Sequence, residues 1–225
     1  MQIVVVAPPE IKAEFGQKFT AAHEYLFLTD YNQIRNKLME AQVVFDFFLA
    51  EHPDRLRLYQ DRKGLIGFCQ AVGLSLVQLI YNARINLSCS LLGFNGWPTL
   101  LNRAYLEVTV LKEEDKPVLE NICGQLGTEY LIVDDRVGMV TPRVIAMIIN
   151  EAYYTLQENT ATAADIDLAM KLGTNYPFGP FEWAEKIGIS NIYHLLAALY
   201  ADTQDERYKI CPLLKRRYLQ TTTRT

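Results

Sequence analysis

KEEDKPVLENICGQLGTEYLIVDDRVGMVTPRVIAMIINEAYYTLQEN (112–159) holds both halves of the fold side by side. Its first part begins acidic, carries Val118, Leu119, Ile122 and Leu126 on one face and stops at Gly127. That pattern predicts a helix with a glycine at its end. EYLIVDD (129–135) then predicts a strand. After Gly138 the period changes. Ile145, Ile148, Ile149, Ala152 and Leu156 share one face of a long amphipathic helix over 143–159. The boundary between two kinds of architecture therefore falls near 136–138.

Upstream of this stretch, strand and helix signals alternate. QIVVVA (2–7), EYLFLTD (24–30), AQVVFDFFL (41–49), GLIGFCQAV (64–72), INLSCSLLGF (85–94) and YLEVTVL (105–111) read as strands. Residues 10–21, 31–40 and 74–83 read as helical, and HPDRLRLYQ (52–60) as a short helix or turn. The apolar runs are mostly not one-sided, which argues for a mainly parallel sheet covered on both faces, an α/β domain. Downstream, Thr162 and Asp165 resemble a capping box that opens a helix over 163–173. Asp165 and Asp167 are both assigned to its first turn, where carboxylates favour the positive end of the dipole. TNYPFGPFEW (174–183) reads as a rigid turn, WAEKIG (183–188) and NIYHLLAALYAD (191–202) as further helix, and KRRYLQTTTRT (215–225) as a basic tail frayed at its end. Domains of 1–137 (α/β) and 138–225 (all-α) follow.

The chain has 225 residues, of which 50% are hydrophobic and 21% charged, so a disordered chain is excluded. A net charge of −4 gives no electrostatic case for nucleic acid or an anionic membrane. No apolar run approaches the ~20 residues that span a bilayer, and MQIVVVAPPE suits a strand better than a signal peptide. Cys69, Cys89, Cys123 and Cys211 are scattered, and no histidine lies between residues 53 and 193. No metal site is expected, and a reduced cytoplasmic chain is the default. Cys69 is expected to be an apolar filler.

An amino-terminal strand and helix in an α/β protein raise the question of a dinucleotide site. Such a site needs backbone N–H groups, freed by glycines, to approach a pyrophosphate at a helix amino terminus. Here the turn reads Ala7-Pro8-Pro9-Glu10-Ile11-Lys12, and the first glycine is Gly16. Two prolines remove two donors and Glu10 adds a negative charge. Asp30, at the end of the second strand, stands where a ribose-binding acid would be. The expectation is a nucleotide-binding shape without its usual phosphate grip.

Residues 143–189 carry Asn150-Glu151-Ala152, Asp165-Ile166-Asp167, Ala169-Met170-Lys171-Leu172-Gly173 and Pro177-x-Gly179-Pro180-Phe181-Glu182. This stretch resembles the helical domain of the 3-hydroxyacyl-CoA dehydrogenase family, and GFNGWPTLLNRAYLEVTV (93–110) and VGMVTPR (137–143) extend the likeness upstream. The resemblance implies a Rossmann-like domain, here truncated, followed by a helical domain like the C-terminal domain of 6-phosphogluconate dehydrogenase. It implies NAD-dependent oxidation of L-3-hydroxyacyl-CoA by a histidine oriented by a glutamate, with a serine and an asparagine holding substrate oxygens. It also implies dimerisation through the helical domain, and a glycine-rich closing segment that this sequence does not reach.

Carried over by position, the serine matches Ser75 and the glutamate Glu107. The histidine position falls on Phe94 and the asparagine position on Pro142, beside Thr141. Phenylalanine cannot accept a proton, and His23, His52 and His194 lie at unrelated positions. Asn95, Trp97 and Thr141 are candidates for a substrate cleft. For Asn95 and Trp97 packing is the competing reading; for Ser75 it is a helix start, and for Glu107 a strand-edge carboxylate. The expectation is a family-like protein that lacks the NAD-dependent reaction and needs no NAD, while still able to bind an acyl-CoA or related ligand. Two alternatives stay open. One is an active oxidoreductase, completed by Asn95 and Glu107 or by a neighbouring subunit. The other is a non-catalytic homodimeric subunit that pairs through Ile145, Ile148, Ile149 and Ala152.

Overall fold

The structure is a computed structural model and describes residues 1–222. It divides into two compact units, Met1–Met139 and the chain from Val140 onward. The first unit contains β1 (Gln2–Val6), α1 (Ile11–Lys18), β2 (Glu24–Leu28), α2 (Ile34–Lys37), β3 (Val43–Asp46), β4 (Ile66–Gln70), α3 (Leu76–Ala83), β5 (Ser90–Phe94), β6 (Tyr105–Val110), α4 (Lys116–Leu126) and β7 (Glu129–Ile132). Among the described residues the strands form one seven-stranded sheet, ordered β2-β1-β3-β4-β5-β6-β7. Neighbours are parallel except β5 and β6, which are antiparallel and joined directly through residues 95–104.

Side chains alternate across this sheet, and each face is buried. Ile3, Val5, Phe45, Phe68 and Leu92 pack with Phe15 of α1 and Ile122 of α4. Val4, Val6, Val44 and Leu91 pack on the other side with Leu38, Leu56 and Leu79. Burial on both faces explains the continuous apolar runs that mark these strands in the sequence. Only β2 lies outside β1, where the six-stranded dinucleotide order 3-2-1-4-5-6 has two strands. The truncation is located there.

Several elements are shorter than their apolar runs. The 85–94 run pairs only from Ser90, because Ile85 and Leu87 pack against the core from a loop instead. Residues 53–58 form a 3-10 helix, and 31–33 form a 3-10 turn ahead of the four-residue α2. α4 ends as its glycine requires. Gly127 adopts φ +67°, and its N–H donates to the Cys123 and Gly124 carbonyls.

The second unit contains α5 (Thr141–Gln157), α6 (Ala163–Thr174), α7 (Pro180–Ile187), α8 (Ile189–Thr203) and α9 (Pro212–Thr222). α5 packs against the other four helices of this unit. Ile145, Ile149 and Ala152 are buried. Ile148, on the same face, is half-buried, so most of this apolar stripe is used inside the bundle. The basic segment from Lys215 continues as helix through Thr222, and residues 223–225, where fraying was expected, lie outside the described residues. Among the described residues no helix is long and apolar enough to cross a membrane.

Candidate functional site

In open α/β sheets, ligands bind outside the carboxyl ends of the strands where the strand order reverses. Here that point lies at β1, flanked by β2 and β3. The turn after β1 has little to offer an anion. Pro8 and Pro9 carry no N–H. The first two N–H groups of α1 are already engaged: Ile11 N donates to the Pro8 carbonyl (3.1 Å) and Lys12 N to the Pro9 carbonyl (3.2 Å). Glu10, exposed, is the N-cap of α1 and makes no capping bond. The residues present therefore do not fit the diphosphate of NAD. Asp30 is exposed, and its carboxylate caps the following turn, accepting from Asn32 N (2.9 Å) and Asn32 Nδ2 (3.2 Å).

α1 has another task. Glu14 accepts from Thr99 N (2.9 Å) and Asn102 N (3.1 Å), Gln17 Oε1 accepts from Asn102 Nδ2 (3.2 Å), and Lys18 Nζ donates to the Arg103 and Ala104 carbonyls. One face of the helix thus straps down the β5–β6 loop.

A carboxylate that the sequence reading passed over sits at the end of β3. Asp46 is 1% exposed. It accepts hydrogen bonds from the Tyr31 hydroxyl, the Tyr59 hydroxyl (2.7 Å) and Phe48 N (3.0 Å). Burial raises its pKa above the usual carboxylate range, against the pull of these bonds. Burial, followed by the Asp46 carboxylate, raises both tyrosines. The signal available in the sequence was a single acid inside the apolar run AQVVFDFFL.

At the end of β5, Phe94 is fully buried and meets Phe47 and Phe45 edge-on, with ring centroids 5.1 and 5.5 Å apart. Asn95 and Glu107 are buried and brought together. Asn95 Nδ2 donates to Glu107 Oε2 at 3.4 Å, and Asn95 Oδ1 accepts from Trp97 N at 3.2 Å. Trp97 is 4% exposed and belongs to the core. Ser75 is the N-cap of α3 and its Oγ accepts from Gln78 N (3.1 Å). Asp135, also missed from the sequence, accepts from Leu76 N (2.7 Å) and Val77 N (3.0 Å) and closes the same helix end. An internal anion therefore already occupies the amino terminus of α3.

The buried cysteines are free, and burial pushes Cys89 to about 11 and Cys123 to about 12, which disfavours their thiolates. Among the described residues no cluster of three or more His, Cys, Asp or Glu could hold a metal. An open concavity lined by Met39, Asp61, Arg62, Lys63 and Ser88 lies at the amino ends of β3, β4 and β5, the opposite end from the chemistry considered above.

In the second unit, Thr141 and the buried Pro142 begin α5, where proline's fixed φ and missing N–H suit a first turn. The Asn150-Glu151-Ala152 motif is architectural: Asn150 is buried, its Oδ1 accepts from Cys211 N (2.9 Å) and its Nδ2 donates to the Lys209 carbonyl (3.0 Å). Thr162 caps α6 as expected, accepting from Asp165 N (3.2 Å). Asp167 does not act in that first turn. It lies beyond it and caps α7 instead, accepting from Phe181 N (2.8 Å) and Glu182 N (3.2 Å). A Cβ on Gly179 would come within 2.4 Å of that carboxylate, which explains the glycine. Glu182 completes the knot, accepting from Gly179 N (3.0 Å) and pairing with Lys171 Nζ (2.6 Å). The Lys171 bond and then the Gly179 N–H hold its pKa below the usual range.

Residues 138–223 match the family model described as the 3-hydroxyacyl-CoA dehydrogenase C-terminal domain. The helical unit is thus similar to the C-terminal domain of the 3-hydroxyacyl-CoA dehydrogenases. Over 95 residues the chain is 45% identical to the 3-hydroxyadipyl-CoA dehydrogenase of Escherichia coli K12, covering 42% of this chain and 20% of that protein. It is 37% identical over 91 residues to the 3-hydroxybutyryl-CoA dehydrogenase of Bradyrhizobium diazoefficiens, covering 40% and 31%. The matches thus span a fifth to a third of the length of these relatives. The crystal structure of (S)-3-hydroxybutyryl-CoA dehydrogenase from Ralstonia eutropha superposes with a TM-score of 0.73 at 18% identity, covering 96% of this chain and 92% of that one. It shares the sheet domain and helical domain as a fold.

Proposed function

We propose that this protein does not carry out NAD-dependent oxidation of an L-3-hydroxyacyl-CoA and retains a binding role toward an acyl-CoA thioester or a related ligand. The observation that carries the reading is the β1–α1 turn. Its donors are absent at Pro8 and Pro9 and engaged at Ile11 and Lys12, so the turn offers a diphosphate few main-chain hydrogen bonds. Phe94 supports it: a ring packed among other rings cannot move a proton. The acyl-CoA class is taken from the relatives' names.

Equilibrium titration with NADH and acetoacetyl-CoA tests the reading. The expected result is no saturable NADH binding, no hydride transfer, and acyl-CoA binding measured by calorimetry. Tight NADH binding accompanied by turnover overturns it.

The reading includes self-association through the second unit. Leu168 and Leu172 are 53% and 78% exposed, one turn apart on α6, and Val144 on α5 is 51% exposed. A second copy would cover such apolar residues. Light scattering after size exclusion is expected to give a dimer that Leu172→Glu weakens; a monomer at micromolar concentration counts against it.

A further inference from the structure

We propose that Tyr31, Asp46 and Tyr59 form a clasp across the strand ends at β1, so that the loops after β2 and β3 open as one unit. The sheet register sets the geometry. Val6, the last residue of β1, pairs with Leu28 of β2 on one side and Asp46 of β3 on the other. Tyr31 lies three residues beyond Leu28, and its hydroxyl donates to Asp46 Oδ2. That bond therefore reaches from one flank of β1 to the other, over the strand at which the order reverses.

The third member comes from a different segment. Tyr59 ends the 3-10 helix 53–58, is fully buried, and donates to the same Oδ2. Phe48 N fixes the other carboxylate oxygen. Arg55, from that 3-10 helix, lays its guanidinium over the Tyr31 ring at 3.8 Å, a second direct contact between the two segments. One carboxylate thus holds residues 30–33 and 53–59 against the same strand end. Both segments contain short 3-10 turns; the Asp30 carboxylate caps the first, and Leu56 anchors the second in the core.

A shared acceptor makes the openings cooperative. A hydroxyl that leaves one side exposes Oδ2, weakens the packing of the other tyrosine, and removes the Arg55 stack. In this chain the switch point is bridged by the protein's own side chains. The inference goes beyond the functional reading and holds whether or not the protein turns over a substrate.

Hydrogen exchange of the full chain, read by mass spectrometry on wild type, Tyr31→Phe and Tyr59→Phe, tests it. Loss of one hydroxyl removes a hydrogen bond of ~1 kcal/mol, so opening becomes roughly fivefold more frequent. With Tyr31→Phe the faster exchange is expected both in 30–37 and in 53–60, with Tyr59→Phe showing the same two segments and α4 unchanged. Faster exchange confined to the mutated loop overturns the clasp. So does a uniform rise across the first unit, or no rise at all. NADH added to wild type supplies a separate arm: protection of residues 7–12 with turnover would sink the functional reading, while the two-segment response would still decide the clasp.

Discussion

The two units show a family likeness in different ways. The second keeps the sequence and the bonds that the sequence serves: Asp167 on α7, Glu182 on Lys171, and Asn150 on the 209–211 segment. The first has the sheet, and its strand ends carry prolines, a buried phenylalanine and an internal carboxylate. The difference shows what each kind of residue is for. Side chains that dock one helix on another are part of the folding free energy and cannot be exchanged singly. Groups that face a ligand contribute little to folding, so a fold outlives them.

The contrast can be broken by mutation. Each unit has one buried tryptophan, Trp97 in the first and Trp183 in the second, so variants with a single tryptophan report each unit's unfolding in denaturant. Phe94→Ala is expected to have the largest effect, destabilising the first unit by about 3–5 kcal/mol, since a fully buried ring leaves a cavity among Phe45, Phe47 and Phe68. A mild effect would mean that Phe94 is not the keystone of that cluster. Asp167→Ala removes two charge-assisted bonds from the start of α7 and is expected to cost the second unit about 2 kcal/mol. Ser75→Ala should cost the first unit ~1 kcal/mol as an ordinary N-cap loss and leave acyl-CoA binding unchanged. Lost binding at unchanged stability would return Ser75 to the ligand.

The smallest effect is one of sign. Asp46 is held above its usual pKa, so the folded state binds the proton more tightly than the unfolded chain. Its contribution favours folding fully below the unfolded value of ~4 and is lost as pH rises through the raised folded value. The groups facing it are Tyr31, Tyr59 and Cys69, with Arg55 beyond Tyr31. Glu182 is held low, so its contribution is present above the unfolded value of ~4.3 and is lost as pH falls through the lower folded value. As pH falls, the stability gap between wild type and Asp46→Asn should therefore widen in the first unit. The gap for Glu182→Gln should narrow in the second. Denaturant midpoints across pH read both; parallel slopes would refute the distinction.

The strands were legible because apolar runs buried on both faces leave few other readings, and the change of period after Gly138 marked the helical unit. Strand ends were not, since a run such as 85–94 looks uniform while only part of it finds a partner. Asp46 escaped for a similar reason. Its tyrosines lie 15 and 13 residues away, at no spacing that a local pattern records. The task of Asp167 is not legible from its own helix, because the amino end it caps begins 13 residues later in the chain. The missing phosphate donors were readable, since proline announces an absent N–H by its identity alone.

The strap from α1 to the β5–β6 loop sets a rule for length variation. Glu14, Gln17 and Lys18 follow the pitch of one helix face, and they hold main-chain or amide groups at 99, 102, 103 and 104. One residue inserted between 99 and 104 would put these grips out of step, as a missing tooth does in a ratchet. Length is therefore fixed at this corner of the molecule, between the first helix and the sixth strand.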